Sequence, residues 1–187
     1  MEDQSESIIV QTRKWILDVV VGLNLCPFAA KEVKSDRVRY VVLKESEPEV
    51  CLHALLEECE LLDADASIET TLIIIPYAFE DFETYLDLVD YAEAILEQHD
   101  YEGIYQVASF HPEYRFADSD VDDPANYTNR SPYPMLHLLR ESSIDIALTR
   151  YPDHEEIPER NISLTRQKGL AYMKMLREAC LSSPHTS

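Results

Sequence analysis

The segment 111–131 concentrates side chains that can bind and convert a small polar substrate. It contains one histidine, five carboxylates, two arginines and two asparagines. His111 titrates near neutral pH and is the predicted acid–base group, with Glu113 as a second catalytic carboxylate. The competing interpretation is a loop held by its own side-chain hydrogen bonds, in which Asp and Asn form the turns.

Three arginines are the predicted clamp for an anionic group. Arg115 and Arg130 lie in the 111–131 segment, and Arg150 directly follows a predicted strand. Guanidinium groups bind phosphate and carboxylate through paired hydrogen bonds, so three that converge would select a small anionic molecule. Ion pairing with the acids of the same segment is the alternative. The further predicted substrate-binding residues are Asn126, Asn129, Tyr133 and His137.

Cys26 is the predicted nucleophile or redox group. Pro27 follows it, and a short helix beginning at this proline would direct its dipole towards the thiol and stabilise a thiolate. Lys31 and Lys34 lie close in sequence and would act in the same direction. The alternative is a buried, unreactive cysteine, which is common in protein cores.

Asp118, Asp120 and Asp122 alternate like the first ligands of an EF-hand calcium loop. The rest of the pattern does not fit, because Asp123 stands where the loop requires glycine and an asparagine stands where it requires glutamate. A looser divalent-metal site remains an alternative, and with it a metal-dependent hydrolase that also uses the preceding histidine and glutamate. The sequence identifies no particular cofactor.

The elements that must position these residues alternate between helix and strand. This order predicts one α/β domain over residues 1–180, with a four-stranded, mostly parallel or mixed sheet and five main helices, and a frayed tail at 181–187. His137 then lies in a helix that follows the polar segment. The predicted strands are 38–43, 70–75, 104–110 and 144–149. The predicted helices are 7–23, 46–62, 80–98, 131–141 and 163–180.

Glycine is scarce, which excludes several common classes of enzyme. The chain has three glycines, and no two of them are close in sequence. The Walker-A loop, the GxGxxG turn of dinucleotide-binding folds and the GxSxG elbow of serine hydrolases are therefore absent. Any anion site must use arginine side chains rather than a glycine-rich loop of backbone amides.

The negative charge is confined to one part of the chain. The net charge is −20, and residues 45–102 contain 18 acids and no Lys or Arg. Repulsion disfavours a nucleic-acid partner at this part of the protein. If its two helices share one side of the sheet, they form an acidic surface, which is either a solvated face or a docking face for a basic protein. The docking interpretation predicts a binding or regulatory module.

Hydropathy and cysteine usage favour a cytoplasmic protein. No run of about 18 apolar residues is present, so we expect no membrane span. The first residues are acidic rather than basic, unlike a secretory signal. The four cysteines are scattered and form no CxxC pair, which is typical of a reducing compartment.

Two segments carry a resemblance to a known family. They are Gly22-Leu-Asn-Leu-Cys-Pro-Phe-Ala29 and the stretch from Phe110-His-Pro-Glu-Tyr-Arg-Phe to Asn129-Arg-Ser-Pro-Tyr-Pro-Met-Leu-His-Leu-Leu-Arg140. Both are similar to the bacterial and plant family known as domain of unknown function 1415, and the resemblance covers nearly the whole chain. It implies a small single-domain protein and assigns no catalytic role. The residues themselves favour an enzyme that acts on a small anionic metabolite.

Overall fold

The computed structural model of the protein describes residues 4–45, 47–151 and 153–182. In this part of the chain no helix is long and apolar enough to cross a membrane. The strands are β1 (Val38–Val42), β2 (Thr70–Ile74), β3 (Tyr105–Phe110) and β4 (Met135–Arg140). The helices are α1 (Gln4–Trp15), which continues as a π-helical segment (Ile16–Val21), α2 (Ala29–Lys34), α3 (Pro48–Ala64), α4 (Phe82–Gln98), α5 (Glu141–Arg150), α6 (Ile157–Lys168) and α7 (Leu170–Leu181), with short 3-10 helices at Pro124–Thr128 and His154–Glu156.

The strands form one mixed sheet in the order β1-β2-β4-β3. β1 and β2 are parallel, and β4 is antiparallel to both of its neighbours, β2 and β3. The predicted α/β class with a four-stranded mixed sheet is therefore confirmed, although the described residues contain seven α-helices rather than five.

Different helices cover the two faces of the sheet. α3 and α4 pack on one face, around Leu55, Ile73 and Leu138. α1, with its π-helical continuation, and α7 pack on the other face, around Trp15 and Leu72. The helices α3 and α4 carry much of the acidic stretch, and they lie on the same side of the sheet, as an acidic surface requires. A basic protein partner for that surface stays a prediction.

Residues 131–149 fold differently from the prediction. The predicted helix 131–141 is strand β4, and the predicted strand 144–149 is helix α5. Leu and Met favour helices, but pairing on both sides with β2 and β3 outweighs this weak preference. Pro132 and Pro134 also disfavour helical backbone at the residues before them, which leads the chain into the strand in an extended form. His137 is therefore a strand residue, and Arg150 ends a helix rather than a strand.

The predicted helix 163–180 is interrupted. It consists of α6 and α7, separated at Gly169, whose φ of 84° is readily accessible only to glycine. The predicted helix start at Ser46 and the end of the predicted tail, residues 183–187, lie outside the described residues.

Candidate functional site

A cleft of about 850 Å³ lies on the sheet face that α1 covers in part. We call it the sheet-face cleft. One wall comes from the end of α1 and the segment that leads into α2, and the opposite wall comes from α5. The floor is formed by side chains of all four strands: Val38, Thr70, Leu72, Gln106, Ala108, Phe110, His137 and Leu139.

Helix α5 is an unusual wall, because none of its residues is buried. Ile144, Ile146 and Ala147 line the cleft, and Ile146 is 54% exposed. Apolar side chains next to a cleft lose contact with water when a ligand fills it, which is favourable by about 25 cal/mol per Å². A ligand in the sheet-face cleft would therefore cover apolar side chains of α5 that the protein itself leaves exposed.

His137 is the main polar group on the cleft floor. It lies in the middle of β4, between Leu72 of β2 and Ala108 of β3. Its Nε2 lies 2.7 Å from the Thr70 hydroxyl oxygen. The Thr70 hydroxyl donates its single hydrogen to the carbonyl of Leu138 at 2.6 Å, so it accepts from His137. The neutral imidazole thus carries its proton on Nε2, and Nδ1 is a hydrogen-bond acceptor.

Partial burial on the cleft floor keeps the His137 imidazole uncharged. Loss of contact with water disfavours the charged form and lowers the pKa of His137 to about 4. A general base works best when its pKa is near the working pH. At neutral pH His137 is therefore better suited to accept a hydrogen bond than to remove a proton.

A row of aromatic rings connects His137 to Trp15. The rings of Phe110 and His137 are 6.0 Å apart, and those of Trp15 and Phe110 are 5.3 Å apart in an edge-to-face arrangement. Trp15 is 1% exposed, and its indole Nε1–H has no hydrogen-bond partner among the described residues. A buried donor without an acceptor costs about 1–3 kcal/mol. Trp15 thus supplies an unused donor in a side chain that lines the cleft.

Two carboxylates at the edge of the cleft are neutralised by one arginine. Arg37 lies 3.3 Å from Glu32 and 2.6 Å from Glu69, and both glutamates line the cleft. The Lys31 ammonium, also at this edge, is 3.2 Å from Glu32. This edge therefore carries no excess of negative charge, although the protein as a whole is strongly acidic.

Two further arginines line the same cleft. Arg140 donates to the carbonyls of Leu62 and Asp65 at the end of α3, where its charge caps the helix, and to that of Ile68 beyond the helix at 3.1 Å. Arg150 is exposed at the end of α5 and forms no ion pair within the described chain. Arg150 is thus the cleft cation whose guanidinium has no other evident role.

Cys26 lines the sheet-face cleft and is half-buried. The predicted helix geometry is wrong: α2 begins at Ala29 with Phe28 as its N-cap, so Cys26 lies outside the helix. The ring of Phe28 packs edge-to-face against Tyr151 at 6.0 Å, which joins the Cys26 segment to the end of α5. Cys26, His137 and Arg150 therefore share one cleft.

His111 lies elsewhere, in the core beside α4. It is fully buried, and its ring lies 4.9 Å from that of Tyr85. Nδ1 accepts from the backbone N–H of Glu113 at 3.0 Å, and Nε2 donates to the carbonyl of Phe79 at 2.8 Å. Burial lowers the pKa of His111. Both ring nitrogens are thus occupied by backbone groups, which gives His111 a structural role.

The asparagines of the 111–131 segment hold its backbone in place. Asn126 is fully buried; its carbonyl accepts from Phe116 and Ser119, and its amide donates to Asp120 at 2.8 Å. Asn129 donates to the carbonyl of Ser109 at 3.1 Å, which ties the segment to the end of β3. These bonds account for both asparagines without a substrate.

Four charged residues of this segment border a second, smaller cleft of about 450 Å³: Glu113, Arg115, Asp122 and Arg130. We call it the loop cleft. It lies between the start of α4, the 111–131 segment and α7. Its lining residues are Asp81, Phe82, Glu83, Pro112, Glu113, Arg115, Val121, Asp122, Tyr127, Arg130, Lys174 and Arg177. Arg115 and Arg130 therefore meet at a cleft that Arg150 does not reach.

The predicted metal ligands do not converge. Asp118, Asp120 and Asp122 are exposed. Within the described ranges no group of three or more His, Cys, Asp or Glu side chains is arranged to hold a metal ion. Tyr133 lines neither cleft; it packs against the α1 side of the sheet, and its hydroxyl donates to Gln11.

Trp15 and Thr70 are the contributors to the sheet-face cleft that sequence reasoning missed as site residues. Trp15 has the apolar helical spacing of a core residue. This spacing does not indicate whether the indole N–H of such a residue has a hydrogen-bond acceptor. Thr70 begins an apolar strand, and a hydroxyl there is a weak signal of a polar contact across the sheet. Both roles depend on strand β4 lying beside β2.

The comparison with family models confirms the resemblance of the two segments. The model of a family described as "Protein of unknown function (DUF1415)" matches residues 7–175. No curated protein and no solved structure shows significant similarity to the chain. The matched range includes all four strands of the described residues and every residue that lines the two clefts except Arg177. The chain therefore belongs to the DUF1415 family of proteins of unknown function.

Proposed function

We propose that this protein binds a small anionic metabolite with an apolar body in the sheet-face cleft. The observation that carries the proposal is the neutral imidazole of His137 on the floor of a largely apolar cleft, with a cation at its rim. A concave, mostly apolar site with few polar groups is the usual form of a small-molecule site. The volume of about 850 Å³ is in the range of such sites.

The charge pattern of the rim favours an anionic ligand. Arg37 and Lys31 offset the two glutamates at one edge, and the guanidinium of Arg150 has no carboxylate partner in the described residues. Arg150 can therefore pair with a carboxylate or phosphate group of the ligand. Because Arg150 is exposed, such a pair adds only on the order of 1 kcal/mol.

The polar groups of the interior favour a ligand with both a donor and an acceptor. With its proton on Nε2, His137 has Nδ1 available as an acceptor, and Trp15 Nε1–H lacks an acceptor among the described residues. A hydroxyl or carbonyl group on the ligand body would match these groups, while its apolar part contacts Ala108 and Ile144 of the floor and wall.

An enzymatic role would depend on Cys26. The thiol lines the same cleft as His137, whereas His111 is occupied in the core. Since His137 remains neutral with a pKa of about 4, it is a weak base at neutral pH. The geometry therefore supports binding more strongly than acid–base catalysis by this histidine.

Octanoate and 1-octanol test the proposal as a matched pair of probes. They share an apolar chain, but only octanoate carries a carboxylate at neutral pH. We expect octanoate to bind about fivefold more tightly in calorimetric titrations, and Arg150→Met to remove this difference, as about 1 kcal/mol of ion pairing predicts. Lys34→Met is the matched control, because it removes a cation from an exposed position that lines neither cleft.

Three outcomes of the same titrations would reject the proposal. Equal affinity of the two probes in the unmodified protein contradicts the anionic ligand. A loss of preference in Lys34→Met as large as in Arg150→Met shows that the overall charge, rather than the cleft, selects octanoate. Absence of octanoate binding at millimolar concentration rejects the cleft as a site for apolar anions.

A further inference from the structure

We propose that the loop cleft is a second binding site, which takes a small polar metabolite through its oxyanion group. Arg130 and Arg177 hold the oxyanion, and the ring of Tyr127 supports both guanidinium groups. The site is independent of the sheet-face cleft, because none of the residues that line one cleft lines the other.

Arg130 is a buried cation without a carboxylate partner. It is 7% exposed, and no Asp or Glu lies within ion-pair distance of it in the described part of the chain. Nε donates to the carbonyl of Tyr114 and one terminal nitrogen donates to that of Val121, both at 2.9 Å. Burial of a charge is costly unless an opposite charge accompanies it. The second terminal nitrogen remains for an oxyanion at the cleft that Arg130 lines.

Arg177 provides the second guanidinium. One terminal nitrogen donates to the carbonyl of Pro112 at 2.6 Å, but its buried Nε–H has no acceptor among the residues described. The centre of the guanidinium is 6.0 Å from the Tyr127 ring, and that of Arg130 is 4.9 Å from the same ring. Two cations around one aromatic ring, with one unused buried donor, are arranged for an acceptor that the chain does not supply.

The other charges of the cleft restrict the ligand. Arg115 and Lys174 add two exposed cations, whereas Glu113 and Asp122 are among four carboxylates that also line the cleft. None of these carboxylates forms an ion pair with the four bases within the described ranges. They repel a bare, highly charged anion and attract hydrogen-bond donors. The favoured ligand therefore joins one oxyanion to an ammonium or hydroxyl group.

Three probes separate the elements of this recognition. Phosphoethanolamine carries a phosphate and an ammonium, β-alanine carries a carboxylate and an ammonium, and ethanolamine carries the ammonium alone. The Nε–H signal of Arg177 is followed by NMR of ¹⁵N-labelled full-length protein, since a buried N–H exchanges slowly with water. We expect a saturable shift with phosphoethanolamine, β-alanine or both, and the responsive probe identifies phosphate or carboxylate as the bound group. Ethanolamine should cause no shift.

Variants test whether the arginines of the cleft carry the binding. Arg177→Met should remove detectable binding, as monitored at neighbouring backbone amides, and the exposed substitution Arg115→Met should weaken it about threefold. Lys34→Met should leave it unchanged. Equal shifts with ethanolamine, no shift with any probe, or unchanged binding in a folded Arg177→Met variant would overturn the proposal. If Arg177→Met does not fold, unchanged binding in Arg115→Met overturns it. These outcomes leave the proposed octanoate site in the sheet-face cleft untouched, because the two clefts share no lining residue.

Discussion

The two clefts differ in how the sequence builds them. The loop cleft comes largely from one continuous polar segment, 111–131, whose side chains are mostly used to hold that segment together. The sheet-face cleft is assembled from alternate residues of four strands and from helices distant in sequence. A concentration of polar residues in sequence therefore predicts an ordered loop more directly than it predicts a site. Isolated polar residues such as His137 on an apolar surface are more informative.

We expect the largest loss of stability from a substitution within the 111–131 segment that tests its structural role. Asn126→Ala removes three hydrogen bonds from a fully buried side chain and leaves backbone groups of Phe116 and Asp120 without these partners. We expect a loss of about 3 kcal/mol in the free energy of unfolding, measured by urea denaturation. Asn129→Ala, which removes fewer bonds, should cost about 1 kcal/mol. Two equal and small losses would contradict the view that Asn126 organises the segment.

The next effect concerns the floor of the sheet-face cleft. The pKa of His137 is about 4 in the folded protein, below its ordinary value of 6.5. Between these values the unfolded chain binds a proton that the folded protein does not, so stability falls as the pH falls. Between pH 7 and pH 5 this amounts to about 2 kcal/mol.

The variant His137→Gln isolates that contribution, since it keeps a side-chain donor for Thr70 but does not titrate. The free energy of unfolding falls between pH 7 and pH 5 in both proteins. We expect the fall to be about 2 kcal/mol smaller in His137→Gln than in the unmodified protein. His111 also has a lowered pKa and contributes equally to both proteins, so it cancels in the comparison. Identical pH dependence in the two proteins would show that His137 is solvated.

A smaller change in free energy is expected when a bulky side chain fills one cleft and leaves the other unchanged. Ala108 lies on the floor of the sheet-face cleft, and Ala108→Phe places a ring in that space. We expect at least a tenfold loss of octanoate affinity, about 1.4 kcal/mol, with unchanged binding of phosphoethanolamine or β-alanine at the loop cleft. The control Ala94→Phe adds the same ring at an exposed position on α4. Equal losses in both variants would show that octanoate binds outside the cleft.

Much of the fold could be predicted from local patterns. β1, β2 and β3 are short apolar or β-branched runs, and α1, α3 and α4 have clear helical spacing, so each forms near its predicted range. The region 131–149 could not be assigned in this way, because the partners of β4 on both sides decide its conformation. A proline after Ser131 fits the first position of a helix, on which the prediction of a helix over 131–141 rests, but Pro132 and Pro134 are equally compatible with the extended chain that the structure shows.

The site could be predicted only in part for the same reason. Cys26, His137 and Arg150 were all expected to contact substrate, and the structure brings them to one cleft, although it places His137 on a strand and Arg150 on a helix. Their meeting depends on the order of strands in the sheet. His111 and Asn126 have the residue types of a site, but burial and backbone hydrogen bonds occupy them.

In the proposed complex, a neutral His137 on the cleft floor contacts an amphipathic anion. The most direct measurement is ¹⁵N NMR of the His137 ring during a titration with octanoate at pH 7. We expect the proton on Nε2, consistent with the contact to Thr70, and a saturable shift of the ring signals as octanoate binds. Ring signals that stay unchanged through saturating octanoate would show that the anion does not contact His137, and a ring protonated on both nitrogens at pH 7 would show that His137 is not neutral.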